Sequence, residues 1–372
     1  MNTKISNSES PIDYRKFSQS KLLEVVRALA ILWIAWYHID LVMLPRNEDI
    51  FSIRTLASLG FAGVNVFLLL SGLGLTISIS KVYLQSETTW RKLPWKTFFW
   101  RRILRIYPLY IFAHILFFIT GILLGRYADM PLNIGFLLSI TGLRVFFPDY
   151  FWYGPHPFWF VGLILQFYLL FPLLFWLIIK TGTRNFLLIT FIVCGISRLI
   201  TTSSVEDDYA LMLGLFPNRL AEFSLGMAIG YNLSLKPGLK ISDLKLNNKF
   251  IWIAFLLTTV IGLFIYWQPI ILIKTILFDL FLAIICFLGL TIIALIASYI
   301  SPIYNVLIFI GGISYCFYLL HSPPIRPAFT AFTFLGIHNF WLMSIIYLSI
   351  IILVSYTLTY LESLILPMKR KS

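Results

Sequence analysis

Two ionisable side chains set in hydrocarbon define the chemistry open to this chain. The run Lys21 to Leu44 is mostly apolar, yet it holds Glu24, Arg27, His38 and Asp40. A charge inside a membrane-length helix is costly, so such residues face a bundle interior or a water-filled cavity. Arg27 and His38 lie eleven positions apart. On an α-helix, eleven steps bring them to within about 20° of one another and about 16 Å apart along the axis. A permanent cation and an imidazole that titrates near neutrality thus share one face at different depths. That arrangement describes a reaction path along a helix.

Other polar residues stand out against the apolar background. Arg101, Arg102 and Arg105 open the third apolar run, and their guanidinium forks suit phosphate. Anchoring to anionic headgroups is the plainer reading. It fits Arg101 best, because Arg105 sits a turn deeper, before Ile106-Tyr107-Pro108. Asn65 is a candidate to orient His38 or to bind a substrate, against a hydrogen bond that only packs helices. His321, before Ser322-Pro323-Pro324, is a candidate at the outer mouth of the bundle. Glu222 follows Arg219 by three residues, which suits an internal ion pair closing the bundle. Asp279 and Arg198 read as structural. The aromatic run Tyr150 to Trp159 can stack on a ring-shaped ligand, but it also fits an interfacial belt. Cys194, Cys286 and Cys316 lie in apolar runs without CxxC spacing. They are expected as small core residues, with neither a disulfide nor a metal site. No glycine-rich phosphate loop is evident.

The elements that must position these residues are membrane helices. The composition is 59% hydrophobic and 12% charged, with a mean hydropathy of +0.87. The reading is an all-α, polytopic transmembrane bundle of about ten spanning helices: 24–44, 60–80, 102–124, 158–179, 185–201, 210–232, 250–267, 270–298, 305–321 and 339–361. One membrane domain, 21–366, lies between a polar tail, 1–20, and a basic tail, 367–372. Residues 1–20 hold no apolar stretch of the signal-peptide kind, so the first helix is expected to act as the signal. A net charge of +13 would point to nucleic acid in a soluble protein. Here Lys and Arg concentrate in alternate loops, which places both termini in the cytoplasm and makes the lipid bilayer, not nucleic acid, the partner. The run 134–147 is apolar but short. Were it to span, every later loop would invert, so it is expected to be re-entrant or interfacial.

Five blocks in order resemble the integral-membrane acyltransferase-3 family, whose members acylate sugars of cell-surface glycans. They are Arg27 with His38; Gly63-Val-Asn65 through Ser71-Gly72; Arg101-Arg102-Ile-Leu-Arg105-Ile-Tyr-Pro108; Phe158-Trp159-Phe160 through Gln166-Phe-Tyr168 to Pro172; and Ile313-Ser314-Tyr315 through His321 and Pro323. Asn65 stands where the family usually has an acidic residue. Ile164 and Leu165 stand where many members carry a Glu pair. Both departures point to a branch with a different acceptor.

The resemblance implies an O-acyltransferase, most simply an O-acetyltransferase, of the bacterial plasma membrane. Acyl-coenzyme A, with acetyl-CoA as the first choice, would be the co-substrate rather than a resident cofactor. A carbohydrate or glycolipid of the cell envelope would be the acceptor. His38 would act as general base, taking the hydroxyl proton and returning it to the leaving thiolate; a covalent acyl-imidazole is the other route. Arg27, Arg101, Arg102 and Arg105 would bind the donor. Asn65, Tyr315, His321 and Glu222 would orient groups or meet the acceptor. A transporter of glycan or lipid-linked intermediates, with the same residues along its path, is the alternative. Such transporters often carry matching halves, and no repeat relates residues 1–186 to 187–372.

Overall fold

Hydrocarbon leaves a backbone no partner but itself, so the chain crosses as helices. The computed structural model describes residues 21–43, 53–85, 89–123, 133–204, 209–236 and 245–365, and among these there is no strand. The tails expected at 1–20 and 367–372, and the acidic run Glu206 to Asp208, lie outside the described residues. Among the described residues, seven helices are long and apolar enough to cross a membrane, or eight if one bent pair counts as a span. The chain is a polytopic α-helical membrane protein.

Helix α1 (Lys21–Met43) runs through the middle of the bundle. Ala28, Ala30, Ile31, Ile34 and Ala35 are buried on it. Around it lie α2 (Ile53–Ser58), α3 (Gly63–Gln85), α10 (Ile271–Ala297), α11 (Ser301–Gly312), α12 (Ser314–Leu320) and α13 (Ile325–Phe334). Helix α4 (Trp95–Leu123) and α14 (Phe340–Ile365) are more peripheral, and α9 (Lys249–Trp267) rests chiefly on α10. Along α9, Phe250, Leu256, Phe264 and Trp267 point outward, as expected of a lipid-facing surface.

Three departures from the expected spans have local causes, and a fourth stretch stays short as expected. Spans 158–179 and 185–201 join in one element, α6 (Trp159–Ser204), of 46 residues. At 1.5 Å per residue it would measure about 70 Å, more than twice the hydrocarbon thickness. Gly182, at φ 75° and ψ 164°, divides it. The span expected over 210–232 is broken into α7 (Tyr209–Gly214), a 3-10 turn over Phe216–Arg219 and α8 (Leu220–Leu235). Pro217 cannot donate the backbone bond that a continuous helix needs there. The span 305–321 bends by 68° between α11 and α12. Residues 134–147 form α5 (Ile134–Thr141) and a 3-10 turn over Leu143–Phe146; eight helical residues are too few to cross. Ten crossings result only if α6 counts twice and each broken segment once.

Glycine sets the closest packing. A Cβ on Gly226 of α8 would fall on the Leu69 carbonyl oxygen of α3, and one on Gly72 of α3 would fall on the Phe223 carbonyl oxygen of α8. Without a hydrophobic drive between helices in lipid, such backbone approach supplies the packing that holds them together. Gly226→Val is therefore expected to destabilise the bundle by at least the 1–3 kcal/mol (about) typical of overpacking. It should lower the melting temperature and the monodisperse yield in detergent. Gly312→Ala, whose Cβ meets nothing within 4 Å, should leave both unchanged.

Candidate active site

His38 lies near the end of α1 and points into a cavity of about 610 Å³. The walls include Tyr37, Phe61, Trp152, His156, Arg219 and Tyr318. This volume falls within the range of small-molecule pockets. Two imidazoles meet at its wall. His321 of the α12 terminus is fully buried; its Nε2 lies 3.2 Å from His38 Nδ1, with ring centroids 4.9 Å apart.

The neighbours settle which ring nitrogens carry hydrogen. His321 Nδ1 lies 2.7 Å from the Tyr318 carbonyl oxygen, and His38 Nδ1 lies 2.9 Å from that of Ile34. A carbonyl only accepts, so each neutral ring carries its proton on Nδ1. His321 Nε2 is then an acceptor, and His38 Nδ1–H is shared between it and Ile34. His38 Nε2 keeps its lone pair for the cavity. The plain reading of His38, an imidazole bonded to its own helix, and the chemical reading are thus both satisfied, one by each nitrogen. His321 itself is fully buried and does not line the cavity. It lies under His38, and Tyr347 donates to its carbonyl at 2.6 Å.

The cavity roof is the aromatic stretch 151–158, held from below by Arg144. This guanidinium is fully buried. It donates to the carbonyls of Tyr153, Pro155 (2.9 Å) and His156 (3.2 Å). Ser139 accepts from Arg144 and donates to His114 Nε2 at 2.8 Å, while Tyr110 donates to the Ser139 carbonyl. A lone arginine in the apolar run 134–147 was the available signal for this brace.

A second buried polar group adjoins the cavity through Arg219. Arg198 of α6 lies 2.9 Å from Asp279 of α10 and 3.4 Å from Glu222 of α8; Arg219 lies 3.1 Å and 3.3 Å from the same two carboxylates. Asn65 accepts from Arg219 at 3.2 Å and donates to the Asp279 backbone at 3.4 Å. The break before Arg219 is clamped by Gln166, which donates to the Gly214 carbonyl at 2.7 Å and accepts from the Phe216 amide. Glu222 does pair with Arg219, and Asn65 belongs to this charge group rather than to His38.

The four donor-binding candidates cluster on neighbouring helices. Arg27 pairs with Glu24 at 3.1 Å and lies within electrostatic reach of Arg105 of α4 and Tyr168 of α6. Arg102 sits over the rings of Phe98 and Tyr168, 5.5 Å and 5.7 Å from the centroids. Arg101 is half-buried and Arg105 exposed. Among the described residues neither Arg102 nor Arg105 makes an ion pair. Like charges gathered in this way raise the local potential that an anion would meet. Tyr315 donates at 2.9 Å to the Ile106 carbonyl and fixes α12 against α4; it does not line the His38 cavity.

Residues 21–360 match the family model described as an acyltransferase domain. The chain therefore belongs to the acyltransferase-3 family and is an integral membrane acyltransferase. No curated protein and no solved structure shows significant similarity to it.

The charge group gives the first test of the site's framework. Glu222→Gln leaves two buried guanidiniums with one carboxylate, and breaking a buried pair in this way costs about 3–5 kcal/mol. Thermal unfolding in detergent should show a marked loss of stability, in contrast to Glu24→Gln at the partly exposed pair on α1.

Proposed function

We propose that this acyltransferase moves an acyl group, acetyl in the simplest case, from acyl-coenzyme A to a hydroxyl of a lipid-linked or polymeric sugar. The observation that carries the reading is the lone pair of His38 Nε2, held toward a cavity large enough for a sugar ring. His38 Nε2 takes the proton of the attacking hydroxyl and returns it to the departing thiolate. His321 is a positioning residue, because its acceptor nitrogen and the Ile34 carbonyl together hold the His38 proton on Nδ1. At the other end of α1, the Arg27, Arg101, Arg102 and Arg105 cluster holds the phosphates of the donor. Trp152 and Tyr37 offer rings on which a sugar can stack. The acyl donor arrives from the cytoplasm and the acceptor is modified near the outer face of a bacterial plasma membrane.

Purified protein in liposomes with radiolabelled acetyl-coenzyme A and extracted glycolipids tests the reading. Wild type should transfer label, and His38→Ala should lower transfer about a hundred- to ten-thousand-fold while donor binding persists. Absence of donor binding and of transfer by wild type, with acetyl and with longer acyl donors, would sink the proposal.

His321 separates positioning from packing. Gln offers an acceptor oxygen near the place of Nε2, whereas Leu offers none. His321→Gln should therefore retain turnover within about tenfold of wild type, while His321→Leu loses about a hundredfold in kcat with little change in KM. Equal activity of the two variants would leave His321 a space-filling residue.

A further inference from the structure

Attack on a thioester carbonyl pushes an electron pair onto the carbonyl oxygen, and catalysis depends on a donor already aimed at that charge. None of the residues given a role so far supplies one. Arg219 lines the same cavity as His38, and its side chain is only 7% exposed. Its bonding is lopsided. Nη1 alone serves Asn65, Glu222 and Asp279, so two hydrogens are divided among three acceptors. Nε is buried without a hydrogen-bond partner, and among the described residues Nη2 has none either.

The neighbouring Arg198 shows what a purely structural guanidinium does with the same carboxylates. Its Nε donates to the Asn218 carbonyl at 2.7 Å, its Nη1 to the Thr275 carbonyl at 2.9 Å, and its Nη2 meets Asp279 and Glu222. Every nitrogen of Arg198 is engaged. Arg219 is gripped by one corner, which leaves Nη2 over on a side chain that lines the cavity.

We propose that Arg219 is a catalytic residue of the acyl transfer, donating from Nη2 to the acyl carbonyl oxygen as it becomes an oxyanion. This rests on the reading of His38 as general base. The hydroxyl oxygen bonds to the carbonyl carbon, its proton passes to His38 Nε2, and the carbonyl π pair moves onto the oxygen facing Arg219. Collapse re-forms the carbonyl and breaks the carbon–sulfur bond. The thiolate takes the proton from the His38 imidazolium, giving the ester and coenzyme A with no net redox change. The two arginines and two carboxylates of the group sum to zero charge, so Arg219 needs no bound anion at rest. That suits a charge which exists only in the transition state, where binding energy raises kcat. The grip on Nη1 keeps the fork from reorienting at that moment.

The test compares wild type, His38→Ala, Arg219→Lys and the pair Arg219→Met with Glu222→Gln in the labelled-donor assay, with melting temperature as the check on folding. The double variant removes one charge of each sign, so it should retain a folded bundle where Glu222→Gln alone does not. Its kcat should fall about a hundred- to a thousandfold with donor KM unchanged. A double variant that turns over within tenfold of wild type, or that loses only KM, overturns the role of Arg219. Should the double variant not fold, Arg219→Lys decides. It keeps a cation among the carboxylates but has no second nitrogen, so a folded Lys variant with wild-type kcat also overturns it. Wild type that transfers no label brings down the His38 reading and this one together. Fast Arg219 variants beside an inactive His38→Ala remove this one alone.

Discussion

Charge buried where water cannot follow has to find a partner, and that constraint ties this bundle together. Arg198, Arg219, Glu222 and Asp279 come from α6, the 3-10 turn after α7, α8 and α10, and Asn65 adds α3. No two of these segments can slide without stranding an ion in a poorly solvated interior. Asn218, itself fully buried, extends the lock by bonding Ser197 and Thr201 of α6 and the Leu211 carbonyl. The break at Pro217 is part of this arrangement. A continuous helix would carry Arg219 at helical spacing from α7, whereas the 3-10 turn clamped by Gln166 sets it at the cavity edge.

The glycine contacts serve the same end from the other side. The α3–α8 approach at Gly72 and Gly226 brings Asn65 beside Arg219. On the far face of α1, Gly311 of α11 lies under the Glu24 carbonyl, and the 68° bend that follows turns α12 so that His321 meets His38. Backbone contact fixes the helices more closely than side-chain packing would, and the titratable groups inherit that precision.

Much of this was legible in the residues. Composition and apolar run length define an α-helical membrane bundle, and the eleven-residue spacing of Arg27 and His38 marks the face that α1 turns inward. Glu222 with Arg219 was visible as an i,i+3 pair. What escaped was long-range or conformational. The His38–His321 contact joins residues 283 positions apart, and no local pattern announces it. Asn65 reads naturally as a partner for His38, since both are polar and set toward the same end. Only the α3–α8 packing shows that it belongs with Arg219. The breaks at Gly182 and Pro217 were hidden because mean apolarity over a window does not register where a backbone bond is missing. Arg144 was overlooked as one charge in a short apolar run, although its burial is what holds the cavity roof.

Under the proposed reaction, α1 acts as a ruler. A coenzyme A thioester has its anionic phosphates and its reactive carbonyl at opposite ends of a long neutral arm. An enzyme must grip the first without crowding the second. Placing the cations around Arg27 and the imidazole at His38 on one rigid helix, about three turns apart, separates those two tasks by a fixed distance. A site divided between loops would have to hold that distance against their motion, and reacting atoms tolerate little misplacement. The same separation keeps cations away from His38, where a nearby positive charge would disfavour the imidazolium that forms during transfer. Among the described residues, Arg219 is the one Lys or Arg that lines the cavity. Its pairing with Glu222 and Asp279 offsets its field, so it can direct a hydrogen bond without suppressing the base.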